Sequence, residues 1–243
     1  MTQNGIPDNL ISLYQQEEQL RSKASDWIAT DRRLLLHLVA IEQAMNLADL
    51  LRQFDTRDED LKVIQVLGMR TFNAFGASIK LALSGYGQNG ALVMRDILET
   101  VFLIDLFQGD RKLIDKWRLA DKRARIREFG PVKVREALDN RDGFTSKKRA
   151  AIYDMFSELA GHPTMKSVLM MRPVKDSDAV IGPFMEKTTL EAVFSEMGQL
   201  AIQVGEQLNH FFPNDWGKAI APRLALAHAK KQWLNEFYPN TNS

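Results

Sequence analysis

The chain contains no cysteine. This absence excludes a disulfide scaffold, a thiolate zinc site, an iron–sulfur centre and a cysteine nucleophile. The chain also lacks an excess of either charge sign, because 32 Lys plus Arg stand against 31 Asp plus Glu. Such a balance argues against a wholly basic surface for nucleic acid and against an acidic tail protein.

Long uncharged hydrophobic runs are missing as well. The longest apolar stretch spans residues 92–107 and is interrupted by four charges, at Arg95, Asp96, Glu99 and Asp105. A membrane span needs about 20 mostly uncharged residues. The N-terminal sequence MTQNGIPDNL has neither the basic nor the apolar region of a secretory signal. We therefore expect a soluble, cytoplasmic protein without a membrane partner.

Strand signals are equally scarce, and Gly and Pro fall mostly between periodic segments. Apolar residues recur in steps of three and four, for example at Leu34, Leu38, Ile41, Met45 and Ala48. This period is typical of helices that pack along one seam. We predict an all-α, single-domain multi-helix bundle over residues 1–243, with about eight or nine helices and essentially no sheet.

Three segments receive more specific predictions. Residues 1–56 form a helical N-terminal arm that could pack on a second copy, so we expect a homodimer. Residues 110–129 form one strongly charged helix. Residues 165–184, which contain Pro173, Gly182 and Pro183, form an irregular loop that could act as a lid.

Residues 85–90 read Gly-Tyr-Gly-Gln-Asn-Gly, which matches the G-x-G-x-x-G pattern of dinucleotide-binding folds. That reading requires a preceding strand, whereas the segment before Gly85 has a helical pattern. We therefore interpret the motif as a break between helices: Gly85 ends one helix, and Gly90 lets the next begin.

The helix over residues 92–107 is apolar on nearly every side, because 11 of its 16 residues are large and apolar. Such a helix is expected at the centre of a bundle. It nevertheless carries Arg95 and Glu99 one turn apart. Charges on a core helix are costly unless they are paired. The pair is therefore either a buried structural ion pair or part of a pocket.

A second polar group follows at Tyr153, Ser157, Glu158 and His162. Tyr153 and Ser157 share a helix face, and Gly161 is expected to end that helix. We predict a polar pocket between two helices, built from Arg95, Glu99, Tyr153, Ser157 and His162.

The segments GYGQNGALVMRDILETVFLIDLF and YDMFSELAGHP resemble a bacterial family of uncharacterised helical proteins. That family carries an Arg-x-x-x-Glu helix and a later Tyr-x-x-x-Ser-Glu…His segment. Here these motifs are Arg95/Glu99 and Tyr153/Ser157/Glu158/His162, and the resemblance covers residues 61–162. It implies no particular activity.

The chain is also distantly similar to the HEPN superfamily of helical bundles, which often dimerise and include ribonucleases of defence and toxin systems. HEPN nucleases carry an Arg-x(4–6)-His motif, in which Arg and His of a dimer form a metal-independent RNA-cleaving site. This chain offers Arg32/His37 and Arg223/His228. The similarity therefore implies, as an alternative function, a ribonuclease or toxin with Arg223 and His228 as its site. Such short patterns also occur by chance.

Charge is distributed unevenly along the chain. Residues 110–149 carry 14 bases and 7 acids, whereas residues 1–60 carry 6 bases and 11 acids. The basic segment could bind an anion or RNA, could be a solvated helix face, or could pair with the acidic N-terminal helices. Its candidate patch residues are Arg118, Lys122, Arg123, Arg125 and Arg127.

The four histidines have no metal-binding spacing, and the chain has no Walker A or G-x-S-x-G motif. We expect no metal and no cofactor, and we favour a binding or structural role over an enzymatic one.

Overall fold

The computed structural model describes residues 5–173 and 177–239. This described part contains ten α-helices and no β-strand. The all-α prediction is confirmed, with one helix more than the predicted eight or nine. The helices are α1 (Asp8–Thr30), α2 (Arg32–Arg52), α3 (Glu59–Leu83), α4 (Gly87–Gly109), α5 (Lys112–Leu119), α6 (Lys122–Phe129), α7 (Pro131–Asp142), α8 (Lys148–Phe156), α9 (Lys187–Asn209) and α10 (Ile220–Phe237).

Helix α4 lies at the centre of the bundle, as its apolar sequence predicts. It packs against α3, α9, α7 and α8. Its residues Met94, Ile97, Leu98, Ile104 and Phe107 are almost completely buried. Because its neighbours lie on several sides, the charged side chains Arg95 and Glu99 in the middle of α4 are only partly exposed.

Helix α2 is a second core helix, and it packs against α9, α3 and α10. Of the described helices, α2 alone is long and apolar enough to pass a composition test for a membrane span. Half of its most apolar stretch is buried against the rest of the protein. A buried core helix passes the same test, so the finding is weak evidence for a membrane.

The predicted N-terminal arm divides into two different parts. Helix α1 has a single buried residue, Ala24, and leaves Leu10 and Tyr14 exposed. Helix α2 belongs to the core. The break between them is at Asp31, whose carboxylate accepts hydrogen bonds from the backbone N–H groups of Arg33 and Leu34. An aspartate at this position satisfies backbone donors that the helix start leaves free.

The prediction of one helix over residues 110–129 is wrong, because the chain breaks there into α5 and α6. Ala120 is extended, and the Asp121 carboxylate accepts a hydrogen bond of 2.7 Å from the Ala124 N–H. The N-cap of α6 therefore decides the break. The continuous charge pattern of the segment concealed it.

The segment predicted as an irregular loop, residues 165–184, begins with a 3₁₀ helix over Met165–Met171. The described residues that follow, up to the start of α9, form no helix or strand. The Phe184 N–H donates a 3.1 Å hydrogen bond to the carbonyl oxygen of Gly85. The end of the segment is therefore tied to the turn between α3 and α4.

The glycine motif forms that turn, as predicted. Gly85 follows the end of α3 with a φ of +88°, and a Cβ there would lie 2.6 Å from a Leu20 side-chain atom. Gly90 has a different role from the predicted one, because it lies inside α4. Its Cβ would be 3.3 Å from the Ser78 carbonyl oxygen. It therefore permits the close crossing of α3 and α4.

Candidate functional site

The predicted polar residues of α4 and α8 meet at the aromatic ring of Tyr153. The Arg95 guanidinium donates a hydrogen bond to the Tyr153 hydroxyl oxygen, and its carbon lies 4.7 Å from the ring centroid. Arg135 of α7 lies over the same ring at 3.9 Å. A tyrosine ring attracts cations through its quadrupole. Tyr153 therefore holds two guanidinium groups in place at once.

Glu99 completes this cluster from α4. Its Oε1 lies 3.3 Å from the Arg95 Nε, and the two side chains are 33% and 21% exposed. The predicted i,i+4 pair therefore forms. It is half-buried rather than sealed in the core, so it retains some contact with solvent.

The backbone after α8 is shaped to receive Arg95. Residues Ser157–Gly161 form a π-helical turn, which packs against α4. A Cβ on Gly161 would lie only 2.6 Å from the Arg95 Nη1. Glycine at this position therefore lets the guanidinium lie against the turn. π-Helical turns of this kind are frequent at functional sites.

The other two predicted pocket residues differ in their surroundings. Ser157 is buried, and its hydroxyl has no hydrogen-bond partner among the described residues. His162 follows the π turn, which ends at Gly161 where the helix was predicted to end, but the His162 side chain is exposed. Among the described residues, the His162 side chain forms no hydrogen bond, ion pair or ring contact with Arg95, Glu99 or Tyr153.

A cavity of about 310 Å³ lies beside the cluster, between α3, α4, α5, α6 and α7. Its polar lining residues are Arg70, Asp96, Glu99, Thr100 and Arg135. Its remaining walls are apolar or aromatic: Val66, Leu67, Phe102, Leu103, Trp117, Phe129, Pro131 and Val134. Glu99 and Arg135 belong to both the cavity and the cluster.

Arg135 is the unusual member of this wall. It is only 7% exposed, yet no carboxylate of the described residues forms an ion pair with it. Its Nη1 is buried without a hydrogen-bond partner. The other cations here are matched, since Arg70 pairs with Asp96 and Arg95 pairs with Glu99. The site therefore carries one unmatched positive charge.

Sequence reasoning missed Arg135 and the aromatic wall. Arg135 is one of 14 bases in residues 110–149, and nothing local distinguishes it from its exposed neighbours. Trp117 and Phe129 lie on α5 and α6, whose arrangement depends on the break at Asp121. One signal was available: Arg135 directly follows Val134 and lies three residues before Leu138, which are both buried.

The Arg32/His37 pair is split between surface and core. Arg32 is exposed, whereas His37 is 3% exposed. The Trp233 Nε1–H donates a 2.8 Å hydrogen bond to the His37 Nδ1. The neutral ring must therefore carry its proton on Nε2, where it can donate but not act as a base. Burial lowers the pKa of His37 to about 4. These contacts favour a structural or ligand-binding role over catalysis.

The Arg223/His228 pair lies on α10. The Arg223 Nε donates a 2.6 Å hydrogen bond to Asn209, and His228 is exposed. Five residues along a helix rotate the side-chain direction by about 140°. The two side chains therefore point in different directions within one chain.

The basic patch is partly neutralised by its own helices. Arg118 pairs with Asp115, and Arg127 pairs with Glu128. Arg125 donates to the Ala120 carbonyl oxygen and lies over the Trp117 ring. Within the described residues, the patch members without an ion pair are therefore Lys122, Arg123 and Arg125.

Within residues 5–173 and 177–239, no group of three or more His, Asp or Glu side chains is placed to hold a metal ion. Comparisons with protein-family models, with curated proteins and with solved structures found no match. The resemblances drawn from short motifs therefore stay predictions.

Proposed function

We propose that the chain is a ligand-binding protein. Its ligand is a small molecule with an apolar body and one anionic group, held in the cavity between α3, α4, α5, α6 and α7. A cavity with mostly apolar walls and a few placed polar groups is the usual form of a small-molecule site. The volume of about 310 Å³ lies at the lower end of the usual range.

Arg135 is the observation that carries this proposal. Removing a guanidinium from water is costly unless a counter-charge or hydrogen-bond acceptors replace the water. The Tyr153 ring, 3.9 Å away, compensates part of the cost. An anionic group of a ligand would supply the missing counter-charge.

The aromatic wall indicates the shape of the rest of the ligand. Phe102, Trp117 and Phe129 all line the cavity. Aromatic walls favour a planar apolar body, because rings gain from offset stacking and edge contacts. A neutral polar ligand would make few favourable contacts with these aromatic faces.

Arg95 and Tyr153 act behind the cavity. Arg95 neutralises Glu99, which otherwise would repel an anion from the cavity wall. Tyr153 fixes the direction of both guanidinium groups. The predicted polar pocket is therefore a supporting layer, and Arg135 is the residue that contacts the ligand.

Fluorescence titration with 8-anilino-1-naphthalenesulfonate tests the proposal, because this probe combines aromatic rings with a sulfonate. We expect saturable binding near 1:1 to the wild type. We expect Arg135→Gln to weaken it by at least about tenfold, the cost of losing one charge-assisted hydrogen bond.

Lys133→Gln is the matched control, because Lys133 is on the same helix, is exposed and does not line the cavity. Circular dichroism and thermal unfolding show whether each variant folds. As a second variant, Leu103→Trp fills the cavity without removing a charge, and it should also reduce binding. Equal binding by the Arg135 and Lys133 variants, or binding unaffected by Leu103→Trp, contradicts the proposal.

A further inference from the structure

A second cavity, also of about 310 Å³, lies between α2, α9 and the end of α10. We call it the His37 pocket. Its lining residues include Arg33, His37, Thr188, Glu191, Ser195 and Phe237. None of these residues belongs to the cavity proposed above.

His37 presents one unused hydrogen-bond donor. Its Nδ1 accepts the proton of the Trp233 indole, so the neutral ring carries its own proton on Nε2. That Nε2–H has no hydrogen-bond partner among the described residues, and it is not one of the polar atoms sealed from solvent. His37 is otherwise 97% buried, since its exposure is 3%. A buried side chain thus directs a fixed N–H donor towards a cavity.

Packing fixes the orientation of this donor. The His37 ring stacks on Phe237 with centroids 4.3 Å apart. A Cβ on Gly198 would lie 2.9 Å from the His37 Nδ1 and 3.1 Å from the Trp233 Nε1. The ring is therefore confined between α9 and α10, and its Nε2–H cannot turn to another partner without breaking the bond to Trp233.

A positive charge lies at the same pocket. The Arg33 guanidinium lies 5.0 Å from the Phe237 ring centroid and has no ion pair among the described residues. Of the charges that act on His37, Arg33 has a larger effect than Asp31. Glu191 shares Lys187 with Asp31, since the Lys187 Nζ lies 3.6 Å from the Glu191 Oε1 and 2.7 Å from the Asp31 Oδ2. Of the charged side chains that line the pocket, Arg33 is therefore the one without an ion pair among the described residues, and its guanidinium can bind an anion.

We propose that the His37 pocket binds a small carboxylate, whose oxygens accept hydrogen bonds from the His37 Nε2–H and the Arg33 guanidinium. A planar carboxylate can accept from both groups, and a guanidinium binds it with two parallel N–H donors. The Phe237 ring contacts both groups, since His37 stacks on it and the Arg33 guanidinium lies 5.0 Å from its centroid. The site is separate from the cavity that contains Arg135.

Titration with sodium acetate at pH 7.5 and constant ionic strength tests this site. The readout is the Trp233 indole N–H resonance, because its acceptor is the ring that would bind acetate. Trp233→Phe identifies that resonance among the signals of the 4 tryptophans. We expect a saturable shift with a Kd on the order of 1–10 mM, as suits a ligand of few atoms. Acetamide has the same shape without the charge, so it should bind at least about tenfold more weakly.

Arg33→Gln and Arg32→Gln form a matched pair. Both arginines are exposed on the first turn of α2, but only Arg33 lines the pocket. We expect Arg33→Gln to weaken acetate binding by at least about fivefold and Arg32→Gln to change it by less than about twofold. No saturable shift up to about 100 mM acetate, equal shifts with acetamide, or equal effects of the two variants would overturn the proposal.

Discussion

Protonation of His37 should destabilise the folded protein by a calculable amount. Burial lowers the pKa of His37 to about 4, and the nearby Arg33 contributes to the shift. In the unfolded chain the pKa of a histidine is about 6.5. The unfolded state therefore binds the proton more tightly. The stability contributed by the neutral ring is fully present above about pH 6.5, and it decreases as the pH falls towards 4.

The size of the effect follows from the separation of the two pKa values. Each unit corresponds to about 1.4 kcal/mol, so lowering the pH to 4 removes about 3 kcal/mol of unfolding free energy. This is a large part of the roughly 5–15 kcal/mol that stabilises a typical protein.

Urea unfolding at pH 7.5 and pH 4 measures this loss, with His37→Asn as the reference. The asparagine oxygen can accept the Trp233 N–H but takes up no proton. Protonation of carboxylates changes the stability of both proteins alike. The difference between their losses of unfolding free energy therefore isolates the contribution of the His37 imidazole. We expect the wild type to lose about 3 kcal/mol more than the variant. Parallel losses, or an NMR titration of His37 with a pKa near 6.5, would refute the reasoning.

Three single substitutions and one surface give further predictions. Gly161→Ala places a Cβ against the Arg95 guanidinium, so it should lower stability by about 1–3 kcal/mol in urea unfolding and weaken naphthalenesulfonate binding. Gly198→Ala should disturb the Trp233–His37 hydrogen bond and shift the indole resonance, at a similar cost in stability. Asp121→Ala removes the N-cap of α6 and should cost about 1 kcal/mol. Single-stranded RNA should bind the basic patch only weakly, because three cations of the patch lack ion pairs. We expect the logarithm of the binding constant to fall with the logarithm of the salt concentration with a slope of about −2. A slope near −6 would contradict the count of three free cations.

The helical class and the central position of α4 could be predicted from the sequence, because both depend on local composition. A helix that is apolar on every side has to be surrounded, and α4 is. The break at Asp121 was missed because the segment's charges continue through it. An N-cap depends on one side chain and one N–H group, and a charge pattern contains no information about that contact.

The residues of the candidate site could likewise be predicted only in part from the sequence. Arg95 and Glu99 were identified because charges on an apolar helix are conspicuous. Arg135 was missed because it lies among many other charges, and its importance comes from its burial and from the lack of an ion pair with any described carboxylate. Both properties arise only when α7 packs beside α4 and α8. His162 was predicted to line the same pocket as Arg95, yet its position after the π turn leaves it exposed.

In both proposed sites an arginine lies over an aromatic ring. This arrangement explains why each guanidinium can still bind an anion. Arg135 lies over Tyr153, and Arg33 lies over Phe237. A ring face attracts a guanidinium by about 0.5–2 kcal/mol but accepts few of its N–H donors. A carboxylate such as Asp105, by contrast, binds Arg141 through two oxygens and occupies those donors. An arginine supported by a ring is therefore oriented and still able to bind an anion, whereas an ion-paired arginine is oriented and already satisfied.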